Sequence, residues 1–436
     1  MLILMMRSHY VSEVESKDEG KLVTLAGWVH ETRTFGKINF VLLRDRSGIM
    51  QIILKEGEVD EKLIETSKKL IKETSIVVKG KVRSSKMANL GRELVPESIE
   101  VVGEVMKQVP FEITGKVPAE IDVRLDKRFI DLRRIEVQAI FKIRAEVQKA
   151  FRDKLIELKF QEINPPSLVE AATEGGTDLF EVKYFEKKAY LAQSPQLYKQ
   201  LAVMGGMDKV FMICPIWRAE KHNTTQHLNE ITQMDIEMGF ADDRDALDVL
   251  EEVFLHILKS VKENCKEQLK TLKVELEIPK SLKRHTYSHL VDLLNKHKHK
   301  MEWGEDFSKE NEEHLFKLVG EEAFIITEWP TAVRAFYSMP HHENPKICKA
   351  YDLMYKGLEI ASGAQRIHIP ELLIKQLKAK DCNPADFESY IDAFRYGAIP
   401  HAGWSIGSER LTMKICNLSN IREAALFPRD RNRLLP

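Results

Sequence analysis

Residues 21–103 carry the pattern that most narrows the fold. Five runs rich in β-branched residues, "KLVTLAGWVH", "KINFVLLRD", "GIMQIIL", "TSIVVKGKVR" and "RELVPESIEVVG", are divided by Gly, Ser or charged turns, as short strands are. A helix-like stretch, "VDEKLIETSKKLIKE", falls between the third and fourth. That order predicts a five-stranded OB-fold barrel, an architecture that often takes oligonucleotides on one face. A generic small β-barrel would show the same strands. The first ribbon adds a tryptophan, a histidine and several arginines, groups that suit a nucleic-acid surface.

The remaining chain is too long for one core. At 436 residues two or three domains are expected. Residues 104–130 contain Pro110, Gly115 and Pro118 without periodicity and are expected to form a hinge or linker between a domain of residues 1–103 and one of 131–436. Apolar residues recur at helical spacing from about Arg134 to Lys159 and from Arg244 to Lys262. Asn383 before Pro384 reads as a helix start, with an end near Gly397. Between them "KVFMICPIWRAE", "ITQMDIEMGFA", "FIITEWP", "AFYSMP" and "KAYDLMYKGLEIASGAQRIH" read as strands, which predicts an α+β domain on an antiparallel sheet flanked by helices.

A net charge of -1 requires any nucleic acid to be met by a local basic surface. The five cysteines (Cys214, Cys265, Cys348, Cys382 and Cys416) lie far apart with no C-x-x-C, which suits a reducing cytoplasm better than a disulfide framework. "MLILMM" is too short an apolar run for a signal peptide, and reads as a ragged extension. No run is long enough to span a bilayer.

Three segments of the larger domain are chemically loaded. In "PIWRAEKHNTTQHLNEITQMDIE", Arg218 ends an apolar strand, a polar loop follows, and the returning strand carries Asp235 and Glu237. A guanidinium there suits a phosphate or carboxylate, although Arg218 and Glu220 would also make an ordinary surface pair. In "GLEIASGAQR", Glu359 and Ser362 are oxygen donors near Arg366, a set suited to Mg²⁺ completed by phosphate oxygens. The alternative is a satisfied strand glutamate and a bulge at Gly363. In "PHAGWSIGSERL", small residues lead into Arg410 at a helix start, where backbone N–H groups could meet a phosphate or flat ring.

In this order, behind an OB-like barrel, the three segments resemble the signature motifs of the class II aminoacyl-tRNA synthetases. Motif 1 would be the long helix plus "KFQEINPP", motif 2 the Arg218 strand, loop and return, and motif 3 Gly403 to Arg410. "ATEGGTDLF", "YLAQSPQLYKQ", "RAEKHNTTQHLNE" and "FPRDRNRLLP" are similar to the compact archaeal and eukaryotic type of aspartyl-tRNA synthetase; the stretch from Glu237 to Tyr351 is too short for the insertion of bacterial relatives. The resemblance implies a ligase that forms aspartyl-adenylate from ATP and L-aspartate and esterifies tRNA. It implies Arg218, Glu359 and Arg410 as catalytic. ATP would be held by Arg218, Glu220, Gln226, His227, Leu228, Glu359, Gly407, Ser408, Glu409 and Arg410. Aspartate would be held by Glu174, Ser194, Gln196, Lys199, Arg218, Asp235, Ser362 and Arg366, and Mg²⁺ by Glu359 and Ser362. A homodimer through the motif 1 region is implied too.

In the barrel the resemblance puts Phe40 and Gln51 at the anticodon. Relatives strict for tRNA(Asp) tend to have tryptophan where His30 stands and a lysine near Asn89. A smaller imidazole and an amide imply a pocket that accepts either C or U, and hence charging of both tRNA(Asp) and tRNA(Asn). The rival readings are a strictly discriminating enzyme, an asparaginyl- or lysyl-tRNA synthetase, a non-catalytic tRNA-binding relative and an asparagine synthetase on the same domain. Lys199 with Arg366 favours a dicarboxylic substrate.

Overall fold

The computed structural model describes residues 6–88, 90–115, 117–170, 179–221 and 224–436. Glu174 and Asn89 fall outside the described residues. The chain forms two compact units, Met1–Gln138 and Ala139–Pro436.

In the first unit β1 (Leu22–Phe35), β2 (Ile38–Arg44), β3 (Ile49–Lys55), β4 (Ser75–Ser84) and β5 (Arg92–Gly103) close into a barrel in the order β1-β2-β3-β5-β4. Helix α1 (Glu61–Lys69) lies between β3 and β4, its first turn capped by the Asp60 carboxylate, which accepts from the Lys62 N–H at 2.8 Å. The alternation of each strand sends one set of side chains inward: Leu25, Val29, Val41, Leu43, Ile52, Ile76, Val78 and Leu94 are buried together. Gly27 is required by close approach, since a Cβ would sit 2.2 Å from the Arg44 carbonyl oxygen.

The expected linker is not featureless. Short helices α2 (Ile121–Asp126) and α3 (Arg128–Asp131) occupy its end, where the fully buried Asp131 carboxylate accepts from Arg124 at 2.9 Å and Arg128 at 2.6 Å. Ion pairing rather than apolar periodicity organises this stretch, so a periodicity search passes over it.

Helix α4 (Ile135–Glu157) follows, then β6 (Gln161–Glu162) and a small sheet of β7 (Leu168–Val169), β8 (Glu181–Tyr184) and β9 (Lys187–Leu191). Next come α5 (Gln196–Ala202), β10 (Lys209–Trp217), β11 (Glu230–Gly239), α6 (Asp243–Asn264) and α7 (Lys266–Leu272). Then follow β12 (Lys283–Thr286), α8 (Tyr287–Lys296), α9 (Lys309–Val319), β13 (Ala323–Pro330), β14 (Ile347–Tyr355) and β15 (Glu359–Gln365). The last are α10 (Pro370–Ala379), α11 (Glu388–Ala393), β16 (His401–Gly407) and α12 (Ser408–Ile415).

Eight strands form one sheet in the order β12-β13-β14-β15-β16-β11-β10-β6. It is antiparallel except at its two edges, where β12–β13 and β10–β6 run parallel. The central strands all run between neighbours, so the sheet can present side chains on a hydrogen-bonded floor. One face packs on α4 and α6: Ile143, Val147, Phe151, Leu155, Leu250, Phe254 and Ile257 share a core with Ile236, Leu353 and Trp404. Each such side chain contributes about 1.5–3 kcal/mol. Asp242 caps α6 by accepting from the Arg244 and Asp245 N–H groups. The apolar stripe of α4 is thus used in the core.

Two sequence expectations change. "AFYSMP" makes no strand; it joins the sheet through isolated bridges, Ser338 to Arg366 and Pro340 to Cys348, and packs Phe336, Tyr337 and Met339 into a side cluster. Asn383 does cap, its Oδ1 accepting from the Ala385 N–H at 3.3 Å, but onto a 3-10 turn (Pro384–Phe387) that passes into α11. Among the described residues no helix is long and apolar enough to cross a membrane.

Candidate active site and base-reading face

The other face of the central sheet is polar. Gln233 and Asp235 of β11 and Ser405 and Gly407 of β16, each two apart, line two adjoining cavities with Glu359 and Ser362 of β15, which are three apart across a bulge in the β14–β15 ladder. Register builds the floor: Asp235 and Ser362 both pair with Ser405, from opposite sides of β16. Arg218, Gln233, Glu359, Ser362 and Ser405 belong to both cavities.

The inner cavity, about 240 Å³, is lined by Ser194, Gln196, Lys199, Asp235 and Arg366 together with the shared residues, and by Arg334 and Tyr337. Its charges are buried and paired. Lys199 Nζ donates to Asp235 Oδ1 at 2.7 Å and lies 3.6 Å from Glu237 Oε2. Arg366 meets Glu237 through two N–H groups at 3.0 and 3.3 Å. Ser405 Oγ donates to Asp235 Oδ2 at 2.9 Å. Burial opposes charge on Glu237, but Arg366 and Lys199 outweigh it, and the carboxyl is held below its ordinary range. The lattice needs Gly403: a Cβ there would stand 2.3 Å from Glu237 Oε2. The motif 3 glycines therefore divide their work. Gly403 makes room behind the sheet, while at Gly407 a Cβ would meet only the Arg410 side chain, at 3.7 Å.

Behind Arg366 lies a buried polar chain. Gln200 Oε1 accepts from Gln196 Nε2 at 3.0 Å and from the Tyr390 hydroxyl at 2.9 Å, so its amide nitrogen donates to His401 Nε2 at 2.8 Å. His401 Nδ1 faces the Ile399 carbonyl at 2.8 Å and must carry the proton. Burial holds this histidine neutral, its pKa pushed down to about 4.

The outer cavity, about 120 Å³, is lined by Arg218, Glu220, Gln226, His227, Leu228, Glu359, Gly407, Glu409 and Arg410. Arg410 donates to the Glu359 carbonyl at 3.0 Å and approaches His227 Nε2 at 3.5 Å, while His227 Nδ1 is 2.6 Å from Thr224 Oγ1. Asn229 braces the motif 2 turn by donating to the carbonyls of Arg218 and Glu220 at 2.7 and 3.0 Å. Ser408 is fully buried behind this cavity, its hydroxyl 3.2 Å from Gln148 Nε2. Glu409 reaches the wall, but its carboxylate accepts from Arg144 and from the Thr232 N–H at 3.0 Å.

Several lining residues were not singled out from the sequence: Gln233, Ser405, Arg334 and Tyr337. The signal for Ser405 was strand alternation with Gly403 and Gly407, readable only once the register of β16 is known. Arg334 is ion-paired to the buried Asp352, which sits opposite Ser362 in the ladder and whose Oδ1 has no hydrogen-bond partner among the described residues. Burial and the nearby Glu359 push the Asp352 carboxyl up. A carboxylate, a hydroxyl and an unpartnered buried carboxyl oxygen at one spot are hard oxygen donors and fit a divalent cation. Among the described residues no group of three or more His, Cys, Asp or Glu is disposed to hold a metal by itself, so such a cation needs oxygens from a ligand.

In the barrel, Phe40 faces outward between the buried Asn39 and Val41, with Phe35 edge-on at 6.2 Å. Gln51 Nε2 donates to Glu93 at 2.7 Å, and Arg83 holds the same carboxylate. His30 Nδ1 lies 3.0 Å from Arg44 Nη1. A guanidinium only donates, so Nδ1 accepts and the ring is neutral; burial and Arg44 lower its pKa. Arg44 is in turn clamped by Glu73 at 2.8 and 2.9 Å.

An antiparallel sheet carrying these two cavities, with the three motifs on its floor, is the architecture of a class II synthetase. A family model for class II tRNA synthetases (D, K and N) matches residues 120–431, and one for the OB-fold nucleic acid binding domain matches residues 23–102. The chain belongs to the class II tRNA synthetases of the D, K and N group and is a ligase. It is 49% identical to the aspartate–tRNA(Asp/Asn) ligase of Methanocaldococcus jannaschii over 99% of this chain and 98% of that one. It is also 49% identical to the protein of the same name from Archaeoglobus fulgidus, over 98% and 99%. Among solved structures, asparaginyl-tRNA synthetase from Pyrococcus horikoshii with asparaginyl-adenylate superposes with a TM-score of 0.94 at 34% identity, covering 99% of this chain and all of that one. Aspartyl-tRNA synthetase from Entamoeba histolytica superposes at 0.88 with 31% identity, over 98% and 92%.

Proposed function

We propose that this enzyme joins L-aspartate to tRNA through aspartyl-adenylate, and that it charges both tRNA(Asp) and tRNA(Asn). The observation that carries the amino-acid choice is the charge of the inner cavity. Four cations (Lys199, Arg218, Arg334 and Arg366) line it against two carboxylates, Asp235 and Glu359. Glu237 and Asp352 stand behind Lys199, Arg366 and Arg334, so these cations are held rather than in surplus, and Lys199 with Arg366 at the cavity wall suits a side-chain carboxylate. Asparagine would bring an uncharged amide to that pair of cations, a weaker partner than a carboxylate. The aspartate–tRNA(Asp/Asn) ligases named above support the same choice.

In this reading Lys199 and Arg366 take the side-chain carboxylate, with Asp235, Ser194 and Gln196 at the ammonium end. Arg218, common to both cavities, draws the α-carboxylate and the α-phosphate together. The carboxylate oxygen attacks phosphorus and pyrophosphate leaves, a displacement served by positioning and charge neutralisation. Arg410 takes the far phosphate and His227 supports the adenine, beside Gln226, Leu228 and Glu220. Glu359 and Ser362, with Asp352 beside them, would hold Mg²⁺, which when bound neutralises phosphate charge. The terminal ribose hydroxyl of tRNA then attacks the acyl carbon and AMP leaves.

At the barrel, Phe40 offers a stacking face and Gln51 a base-edge partner. Neutral His30 offers one N–H donor, at Nε2, and no charge. A donor edge suits the O2 acceptor that C and U share, which supports tolerance of both anticodons. A homodimer in the cytoplasm completes the reading; the exposed apolar Ile156 on α4 and Leu168 on β7 support an interface near motif 1.

Aspartate-dependent ATP–pyrophosphate exchange and charging of the two transcripts test this. Exchange is expected with aspartate and not asparagine, and acylation with both tRNAs. Exchange with asparagine alone would overturn the amino-acid assignment. A tRNA(Asn) efficiency orders of magnitude below that of tRNA(Asp) would overturn the relaxed one. Sedimentation showing only monomer at micromolar protein would remove the dimer.

A further inference from the structure

The buried polar chain behind Arg366 has a direction, and its far end sets it. The Ile399 carbonyl can only accept, so His401 Nδ1 donates to it at 2.8 Å. Glu237, Arg366 and His368 face the ring; Glu237 favours a charged imidazole, but burial outweighs it and the ring stays neutral. His401 Nε2 is therefore an acceptor, and the atom 2.8 Å from it must be the Gln200 amide nitrogen. That turns Gln200 Oε1 toward the Tyr390 hydroxyl at 2.9 Å and toward Gln196 at 3.0 Å. An oxygen there needs donors, so the Gln196 atom at this contact must be its nitrogen.

Gln196 and Gln200 stand one turn apart on α5, where side chains four residues apart meet. Gln200, Tyr390 and His401 are at most 2% exposed and none of them lines the inner cavity, whereas Gln196 does. With its nitrogen committed to Gln200, Gln196 has its Oε1 to turn to that cavity. The Gln196 backbone N–H donates to Ser194 Oγ at 3.2 Å, which ties the helix start to the same wall. A side-chain amide has two orientations of nearly equal shape, so its buried partners choose between them. The choice matters at this wall: an amide oxygen accepts from an ammonium, and an amide nitrogen would repel it.

We propose that Gln200, Tyr390 and His401 are positioning residues that hold the Gln196 amide with its oxygen toward the inner cavity, and that this relay selects a ligand by its ammonium. It rests on the reading of the inner cavity as the aspartate site. It adds residues that never touch the ligand, drawn from α5, α11 and β16, and gives the chain a task separate from that of the ion pairs. Lys199 and Arg366 answer the side-chain carboxylate, while the relay sets which end of the ligand lies at Gln196. Succinate is the informative comparison, because it keeps both carboxylates of aspartate and lacks only the ammonium.

The test reads KM for aspartate in ATP–pyrophosphate exchange against Ki for succinate in the same reaction. Gln200→Met keeps much of the side chain's bulk and removes the oxygen that holds Gln196. It should raise KM for aspartate about tenfold, the scale of one hydrogen bond to a charged group, with kcat within about threefold and Ki for succinate within about twofold. Gln200→Glu keeps an acceptor for the Gln196 nitrogen, and its added charge acts on the carboxylates of both ligands alike. Its ratio of KM to Ki should stay within about threefold of wild type. An unchanged ratio in Gln200→Met would overturn the proposal, as would an equal rise in both constants, which would make the chain mere packing behind the cavity. Loss of the ratio in Gln200→Glu would overturn it too, and decides the matter even if Gln200→Met does not fold. Wild-type exchange with asparagine and not aspartate would instead sink the amino-acid reading, since the ammonium is common to both amino acids.

Discussion

The two adjoining cavities hold their charges in opposite ways. In the inner one Lys199, Asp235, Glu237 and Arg366 are all at most 3% exposed and already answer one another. In the outer one Arg218, Glu220, His227 and Arg410 are only partly buried, and Arg410 rests on a carbonyl and a long contact to His227. The first arrangement fixes geometry before any ligand arrives, which suits discrimination between two amino acids of nearly equal size. The second leaves Arg410 without a carboxylate partner among the described residues, which suits a polyphosphate. Buried pairs are costly to assemble, so their return is expected in specificity rather than in stability.

The residue common to both cavities gives the largest expected effect. Arg218→Ala should lower aspartate-dependent exchange by about 10³-fold or more if, as proposed, Arg218 meets the reacting phosphate. Thermal unfolding should stay close to wild type, because Arg218 is partly exposed. A variant that lost activity only by unfolding would show that Arg218 serves the fold rather than the reaction.

Glu237→Gln probes the inner lattice directly. It leaves Arg366 buried with its main counter-ion gone, and the expected loss is about 3–5 kcal/mol of folding stability by chemical denaturation. Exchange with aspartate should fall as well, since Arg366 would be free to turn. A stability change below about 1 kcal/mol would mean the buried pairs are not a lattice at all.

The polar chain behind the lattice should make it acid-sensitive. An unfolded histidine takes up a proton near 6.5, but His401 in the fold does so only near 4. The unfolded state therefore binds more protons between those values, and stability falls as pH drops through that window. The full contribution is present above 6.5, and the loss on reaching pH 4 is at most about 3 kcal/mol. His401→Gln should flatten this part of the stability–pH curve. An unchanged slope would show that other groups set it.

Much of this contrast was readable in the sequence, though unevenly. Arg218 and Arg410 stood out because they sit at the end of an apolar strand and at a helix start, and Glu359 with Ser362 because two oxygen donors lie three apart near Arg366. Glu237 stood in the same strand as Asp235, yet nothing in a linear pattern says that it pairs with Arg366, 129 residues away. Ser405, Gln233 and Arg334 were hidden for the same reason: their neighbours are set by strand register and by a loop crossing, not by local spacing. The barrel was legible because its strands alternate. Its outward face became definite only when Val41 was seen in the core and Phe40 beside it was not.

The smallest effect expected tests the outer cavity at its rim. Glu220 lines it without a carboxylate-to-cation pair among the described residues; only its backbone carbonyl is engaged, by Asn229. Glu220→Gln keeps the shape and removes a charge that nothing buried depends on. Folding stability should change by less than about 0.5 kcal/mol. If the carboxylate accepts from the nucleotide, the loss is one charge-assisted hydrogen bond, about 1.5 kcal/mol, and KM for ATP in the exchange reaction should rise roughly tenfold with kcat little changed. KM for aspartate should not move, because Glu220 does not reach the inner cavity. A rise in the aspartate KM of the same size would mean the two cavities act as one site, and the division drawn between prepaid and open charge would have to be given up.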